Sequence, residues 1–172
     1  ADRIAVLRRH LRGKAAGAVA AAASIDFGPV DLPGPTGEAN SLLLVPRGRV
    51  ACLGPDPEAL LAQAVQALAA GNAVIAIAPG AKAALQPLAA KGLPLAIHEG
   101  SFDPAALAKM EVDVVAVAAD RETSQVVRRA LAGRKGPLVR FVTDVIDPAA
   151  YVHERAICVD TTAAGGNASL LA

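Results

Sequence analysis

Thiols, imidazoles and loop carboxylates are the residues of this chain that could do chemistry, and their spacing assembles none of them into a known centre. Cys52 and Cys158 share no ligand spacing with His10, His98 or His153, so no tetrahedral metal set is predicted. Each cysteine sits in an apolar run with no base near it in sequence, and both read as small core residues rather than nucleophiles. Asp144 follows the apolar run from Leu138 to Val142. The carboxyl end of a strand is where sites often form, yet a lone loop carboxylate is more often a turn residue. An independent enzyme built on Cys158 or Asp144 would lack a paired base.

Phosphate loops are missing too. No Gly-x-Gly-x-x-Gly follows a predicted strand, and there is no Walker loop. Gly34-Pro35-Thr36-Gly37 precedes a strand, not a helix, so no helix dipole stands behind its amides. The natural anion site is the turn Ala118-Ala119-Asp120-Arg121. An aspartate at the N-cap satisfies the free amides itself and repels a diphosphate, an effect Arg121 offsets in part. This turn argues against a bound dinucleotide.

The elements that would position these residues are regular from Arg49 onward. Val50 to Leu53 reads as a short buried strand. Asp56-Pro57-Glu58 opens a helix, with Asp as N-cap and Pro at the first position. Leu60, Leu61, Ala64, Val65 and Leu68 form its apolar face, and Gly71 ends it. Ala73 to Ala78 is apolar on both faces, as a central parallel strand is. A helix over 80–91, kinked or divided at Pro87, leads to a strand at Leu95 to Ile97. A short helix from Asp103-Pro104, a two-sided strand from Val114 to Ala118, a helix from Glu122 to Ala132 and a strand from Leu138 to Val142 follow. This alternation predicts a three-layer α/β/α, Rossmann-like domain over 47–150 with a mostly parallel sheet.

Flanking segments are of another kind. Residues 1–23 predict one N-terminal helix, with Ile4, Leu7, Leu11, Ala15 and Val19 on one face. Arg3, Arg8, Arg9, Arg12 and Lys14 cover the rest, as a solvated face or one packed on a neighbouring domain. Residues 24–46 predict an extended loop with a short strand at Leu42 to Val45, because three prolines and three glycines crowd 24–40. Residues 151–172 predict a C-terminal β-strand or hairpin arm. Its strand alternates through Asp160 and gives way to Gly165-Gly166-Asn167, which can take positive φ or allow close backbone approach.

Bulk properties narrow the function. A net charge of +1 gives no general pull toward nucleic acid, and aromatics at 2% with no Trp leave no base-stacking platform. No run is long enough to span a bilayer, and charges interrupt every apolar run in the opening residues, so these are not expected to be a signal peptide. Two thiols in this setting predict a reduced, cytoplasmic location. The chain opens without Met and ends on an apolar residue, so a piece of a longer polypeptide is expected.

Several spellings resemble a known family. Ala67 to Val74, with Gly71-Asn72 before a strand, resembles the cofactor domain of the aldehyde dehydrogenase superfamily. Val112 through Gln125, and Gly136-Pro137-Leu138-Val139, resemble later segments of that domain. Gly34 to Asn40, Pro46 to Val50 and Glu154 to Leu171 resemble the C-terminal region of the bacterial bifunctional proline utilization A family, which joins proline dehydrogenase to pyrroline-5-carboxylate dehydrogenase. Departures accompany the likeness. That superfamily places a lysine where Ile77 stands, Gly-Ser where Ala119-Asp120 stands, and two glycines after a catalytic Glu where Asp144 is followed by Val145-Ile146. A nucleophilic cysteine belongs to a further domain for which this chain has no room.

The resemblance implies a degenerate cofactor domain, with Ile77, Ala119, Asp120 and Asp144 at the altered positions, no catalytic residue, no cofactor and no metal. FAD and NAD are implied for other domains of a parent polypeptide, whose catalytic domains would be this chain's partners. The implied role is a lid that covers the path of the intermediate between two active sites and supports assembly, with homo-oligomers through the arm. Ile157 and Val159 would anchor the arm. Gly165, Gly166 and Asn167 would make its close turn, Leu170 and Leu171 would enter an apolar groove, and Thr161 and Thr162 are implied as further docking residues. The alternative is a module that still binds NAD or another nucleotide.

Overall fold

A computed structural model describes residues 3–11 and 14–161 of the chain. The helices are α1 (Arg3–His10), α2 (Lys14–Ala23), α3 (Pro57–Ala69), α4 (Ala81–Ala89), α5 (Pro104–Lys109) and α6 (Arg121–Ala132), with a 3-10 turn at Pro148–Tyr151. The strands are β1 (Val30–Leu32), β2 (Glu38–Pro46), β3 (Arg49–Cys52), β4 (Ala73–Ala78), β5 (Leu95–Glu99), β6 (Val114–Ala116), β7 (Arg140–Val142) and β8 (Val152–Asp160). The chain divides into two units, one of Ala1–Ile25 with Pro46–His153 and one of Asp26–Val45 with Glu154–Ala172.

The larger unit is built on a five-stranded sheet in the order β5-β4-β3-β6-β7. All four of its strand pairings are parallel, Val50 matching Val74 on one side and Val114 on the other. The order reverses direction beside β3, the doubly wound arrangement that the alternation of strands and helices predicts. One face packs on α3 and α4, and α2 packs on α3. The other carries Ala51, Val115 and Phe141 against Leu107, Val112 and Val127 of the α5 and α6 side. Leu60, Leu68 and Leu85 are fully buried on the α3 and α4 side, each contributing roughly 1.5–3 kcal/mol against exposure.

Helix ends follow local chemistry. Asp56 caps α3, its Oδ1 accepting from the Glu58 and Ala59 amides at 2.9 Å each. Gly71 has φ of 94° just past the α3 C-cap, a conformation that favours glycine. The buried polar side chains Gln63, Gln66 and Asn72 are all hydrogen bonded to backbone, which is what burial of an amide requires.

Several expectations change. The single N-terminal helix is two helices, with Leu11 outside both. Their apolar stripe is therefore split: Leu7 is buried from α1, and Ala15, Ala18, Val19 and Ala22 from α2. The loop over 24–46 contains an antiparallel hairpin, Val30 facing Leu42 and Leu32 facing Asn40. Its prolines and glycines flank strands whose sheet is completed by β8, more than a hundred residues along the chain, which local pattern does not reveal. Pro87 neither divides nor ends α4. It lies two residues before the helix ends, so the one intrahelical bond it forfeits and any bend it causes fall at the helix terminus.

The smaller unit holds a three-stranded sheet in the order β1-β2-β8. Cys158 lies on β8 and is exposed, so it is not a core residue as its apolar run suggested, whereas Cys52 on β3 is buried. Every β8 residue from His153 to Asp160 is exposed: a strand with little packed over either face buries nothing, whatever its composition.

Candidate functional site: the cleft at the carboxyl end of the sheet

Where the strand order reverses, the carboxyl ends of β3, β4 and β6 open a cleft of about 270 Å³. This is the crevice in which open α/β sheets hold their ligands. Leu53, Ile77, Ala78, Phe102, Val117 and Ala119 line it, with Asp120 and Thr123 at its polar side. A second hollow of about 310 Å³ shares Ile77, Ser101 and Phe102 and adds His98, Glu99 and Asp103. The structure thus brings Ile77, Ala119 and Asp120 into one cleft. Asp144 stands exposed beyond β7 and lines neither hollow.

A phosphate in such a cleft needs backbone amides that are free to donate. In the β3–α3 turn the Gly54 amide donates to Gln63 Oε1 at 3.2 Å, and Gln63 Nε2 donates back to the Gly54 carbonyl at 2.9 Å. Asp56 takes the Glu58 and Ala59 amides. At the start of α4, Glu99 accepts from the Gly80 amide and from the Lys82 amide. At the start of α6, Asp120 Oδ1 accepts from the Thr123 amide at 2.8 Å. The three helices that begin at this end of β3, β4 and β6 each carry a carboxylate of the chain itself at their N-terminus.

The electrostatics agree with the geometry. The Lys82 and Gly80 amides, in that order, hold the Glu99 carboxyl below its usual range. The Thr123 amide and then its hydroxyl do the same for Asp120. Both groups are therefore charged at neutral pH, as N-terminal helix caps favour. Gly80 is left-handed, with φ of 77°, and a Cβ there would lie 2.9 Å from Pro57 Cγ. Only glycine lets the β4–α4 turn pass so close to α3.

Asp120 as a cap was legible from its place before an amphipathic helix. Glu99 was not. It caps a helix whose N-cap residue, Gly80, lies nineteen residues before it in sequence, and only the pairing of Ala78 with Glu99 across β4 and β5 brings it there. Gln63 was likewise hidden, because a glutamine in the middle of a helix carries no local signal for a turn behind it.

The arm residues fall elsewhere. Ile157 and Val159 remain 39% and 51% exposed on β8, and the Thr161 amide donates to the Gly37 carbonyl at 2.7 Å. Gly34 to Gly37 forms the β1–β2 connection, where the Glu38 amide donates to the Pro35 carbonyl at 3.2 Å, so this glycine pair makes a hairpin turn. Thr162, Gly165, Gly166, Asn167, Leu170 and Leu171 lie outside the described residues. Burial pushes the Cys52 thiol far up. Cys158 is also raised, by desolvation first and then by the Glu38 carboxylate, which disfavours the thiolate a nucleophile needs. No group of three or more His, Cys, Asp or Glu placed to hold a metal ion occurs among the described residues, and no helix among them is long and apolar enough to cross a membrane.

No family model matches the chain. Relatives of known name do. The chain is 36% identical over 152 residues to the bifunctional protein PutA of Escherichia coli K12, covering 81% of this chain and 11% of that protein. It is 34% identical over 155 residues to PutA of Rhizobium meliloti, covering 83% of this chain and 12% of the relative. The chain thus spans about a tenth of the length of these relatives. Among solved structures, a point mutant of proline utilization A from Bradyrhizobium japonicum superposes with a TM-score of 0.64 at 29% identity, over 74% of this chain and 15% of that one. Betaine aldehyde dehydrogenase of Staphylococcus aureus superposes with a TM-score of 0.59 at 16% identity, over 73% of this chain and 27% of that one, a likeness of fold alone. The chain is therefore homologous to a segment of the bifunctional proline utilization A proteins and shares their aldehyde-dehydrogenase-like, Rossmann-type fold.

Proposed function

We propose that this chain is a non-catalytic, cofactor-free unit of a bifunctional proline-catabolic enzyme, serving as a lid and scaffold for its catalytic domains. The observation that carries this reading is the occupation of the cleft's helix N-termini by Asp56, Glu99 and Asp120. A dinucleotide diphosphate would meet carboxylates where it needs amides, at an energetic cost from both lost donors and like charge. The residues present do not fit that group. Ile77 in place of a lysine, and Asp144 remote from the cleft, point the same way.

Homology to PutA supports the proline-catabolic context. In that context FAD and NAD belong to other domains of the polypeptide, and those domains are this unit's partners. Exposed Ile157 and Val159 on β8 support an arm that docks on them or on a second copy, with Thr161, Thr162, Gly165, Gly166, Asn167, Leu170 and Leu171 in the docking segment. A cytoplasmic location accords with two unpaired cysteines.

The test uses the full-length polypeptide with and without these residues. Proline is supplied and NADH formation followed. A new lag, or loss of the second activity, is expected on deletion; unchanged coupled kinetics would refute the lid. The persistence of an apolar cleft favours one other reading, retained nucleotide binding. Calorimetric titration of NAD separates the two, since binding tighter than about a millimolar, roughly −4 kcal/mol, would establish the second. Under the first, wild type is silent.

A further inference from the structure

A hollow larger than the cleft, of about 430 Å³, lies at the start of α3. Ala59 and Ala62 of α3 line it together with Val145 and Ile146 of the loop after β7, and Asp56 and Glu58 stand at its polar side. Val145 and Ile146 are 41% and 49% exposed, so the apolar wall faces water. Its shape is set by buried Gln66. The Nε2 of this residue donates to the Val145 carbonyl at 2.7 Å, and its Oε1 accepts from the Asp147 amide at 2.8 Å, which fastens the loop to α3. Exposed Asp144 precedes Val145, and among the described residues no base lines the hollow. An apolar wall with acids around it suits a partner that is apolar at its tip and basic at its flanks.

The chain carries such a tip at the other end of the sheet. Leu138 is 100% exposed, the most exposed large apolar side chain among the described residues. It lies between exposed Lys135 and Arg140, and no acid occurs from Gly133 to Thr143. The connection that bears it is anchored at both ends. Arg134 Nη1 donates to the Leu107 carbonyl at 3.0 Å, and the Arg140 amide donates to the Asp113 carbonyl at 3.0 Å. Gly136 takes φ of 105°, and Pro137 after it fixes its own φ. A single exposed leucine needs no explanation. One held on a stiff turn, flanked by bases, in a chain that also carries an acidic apolar hollow, does.

We infer that the chain associates head to tail with a second copy, Leu138 of one entering the hollow between α3 and the Val145–Ile146 loop of the next. Lys135 and Arg140 then face Asp56 and Asp144 across the contact. The tip follows α6, which returns to the amino end of the sheet, whereas α3 starts at the carboxyl end. Tip and hollow are thus different surfaces at opposite ends of one unit, and the contact is heterologous. Both are pre-formed, so little ordering is lost on docking. The charges are exposed and screened by salt, so they select the partner more than they add affinity. Neither surface includes the β8 arm or the cleft, so the inference stands independently of the role proposed above.

Sedimentation velocity of the chain, at concentrations up to about a millimolar, tests it. The sedimentation coefficient should rise with concentration at low salt and rise less at high salt. Leu138→Ser and Ile146→Ser should each weaken association about tenfold. Both positions are exposed, so a thermal melt matching wild type verifies each fold. Mixing the two is the sharper arm. Leu138→Ser keeps a hollow and Ile146→Ser keeps a tip, so an equimolar mixture should recover one-to-one dimers that grow no further. The series is repeated in a Val159→Ser background, which weakens any pairing through the β8 arm, and the same pattern should persist there. Loss of the pattern in that background would assign the contact to the arm and overturn the inference. So would a wild type that shows no concentration dependence, weakening by only one of the two substitutions, or a mixture no more associated than its parts.

Discussion

Replacing Asn72 by Ala should remove about 3 kcal/mol of stability without touching the cleft. Asn72 is 1% exposed, and its side chain makes three hydrogen bonds. Oδ1 accepts from the Gly48 amide at 2.9 Å, and Nδ2 donates to the Ala67 and Tyr151 carbonyls at 3.0 Å each. These tie the end of α3, the start of β3 and the 3-10 turn to one side chain. Each bond contributes about 1 kcal/mol net. The orphaned groups decide whether the sum rises above that. The Ala67 carbonyl keeps the Asn72 amide at 3.0 Å, and the Tyr151 carbonyl keeps the Arg47 amide at 3.4 Å. Only the Gly48 amide loses its acceptor, so the figure stays near the simple sum. Urea unfolding should show the midpoint falling with an unchanged slope, and the melting temperature should drop by roughly 6–12 °C. Asn72→Asp is the sharper variant. It keeps the Gly48 acceptor but turns a carboxylate oxygen toward two carbonyls, so it should be at least as destabilising as Ala. A loss below about 1 kcal/mol for Ala, or a milder effect for Asp than for Ala, would refute the bolt assigned to this residue.

Other expectations follow from single groups. The Lys82 and Gly80 amides hold the Glu99 carboxyl below the usual carboxylate range; its contribution is present above the unfolded value and lost as pH falls through the folded one. Glu99→Gln should therefore flatten the acid limb of a pH–stability curve while changing little above neutrality. Thiol titration with a chromogenic disulfide should find Cys158 reactive and Cys52 silent until denaturant is added; Glu38→Gln should speed the Cys158 reaction at neutral pH by lowering its pKa. Gly17 lies within the alanine-rich α2, and a Cβ there would meet nothing within 4 Å. Gly17→Ala should stabilise by about 0.5–1 kcal/mol, measured by the same urea titration.

Much of the site was legible because its signals are local. Asp56 with Pro57 and Asp120 before an amphipathic run mark helix starts by rules that span four residues, and both aspartates cap as expected. The apolar runs of β3, β4 and β6 announced central parallel strands. The same logic failed for Cys158. Its run is as apolar as that of Cys52, yet one lies in a central strand packed on both faces and the other in a nearly unpacked sheet of three strands. Composition records what a residue could bury, not whether anything arrives to cover it.

By itself the sequence determined the alternation of strands and helices, hence a doubly wound sheet, and the absence of a phosphate-loop spelling. These depend on periodicity and capping, which act within a few residues. Tertiary structure alone decided which groups meet across the sheet. Glu99 reaches the start of α4 through register, and Gln63 closes the turn behind its own helix. Strand order is a property of long-range packing, and a linear pattern does not carry it.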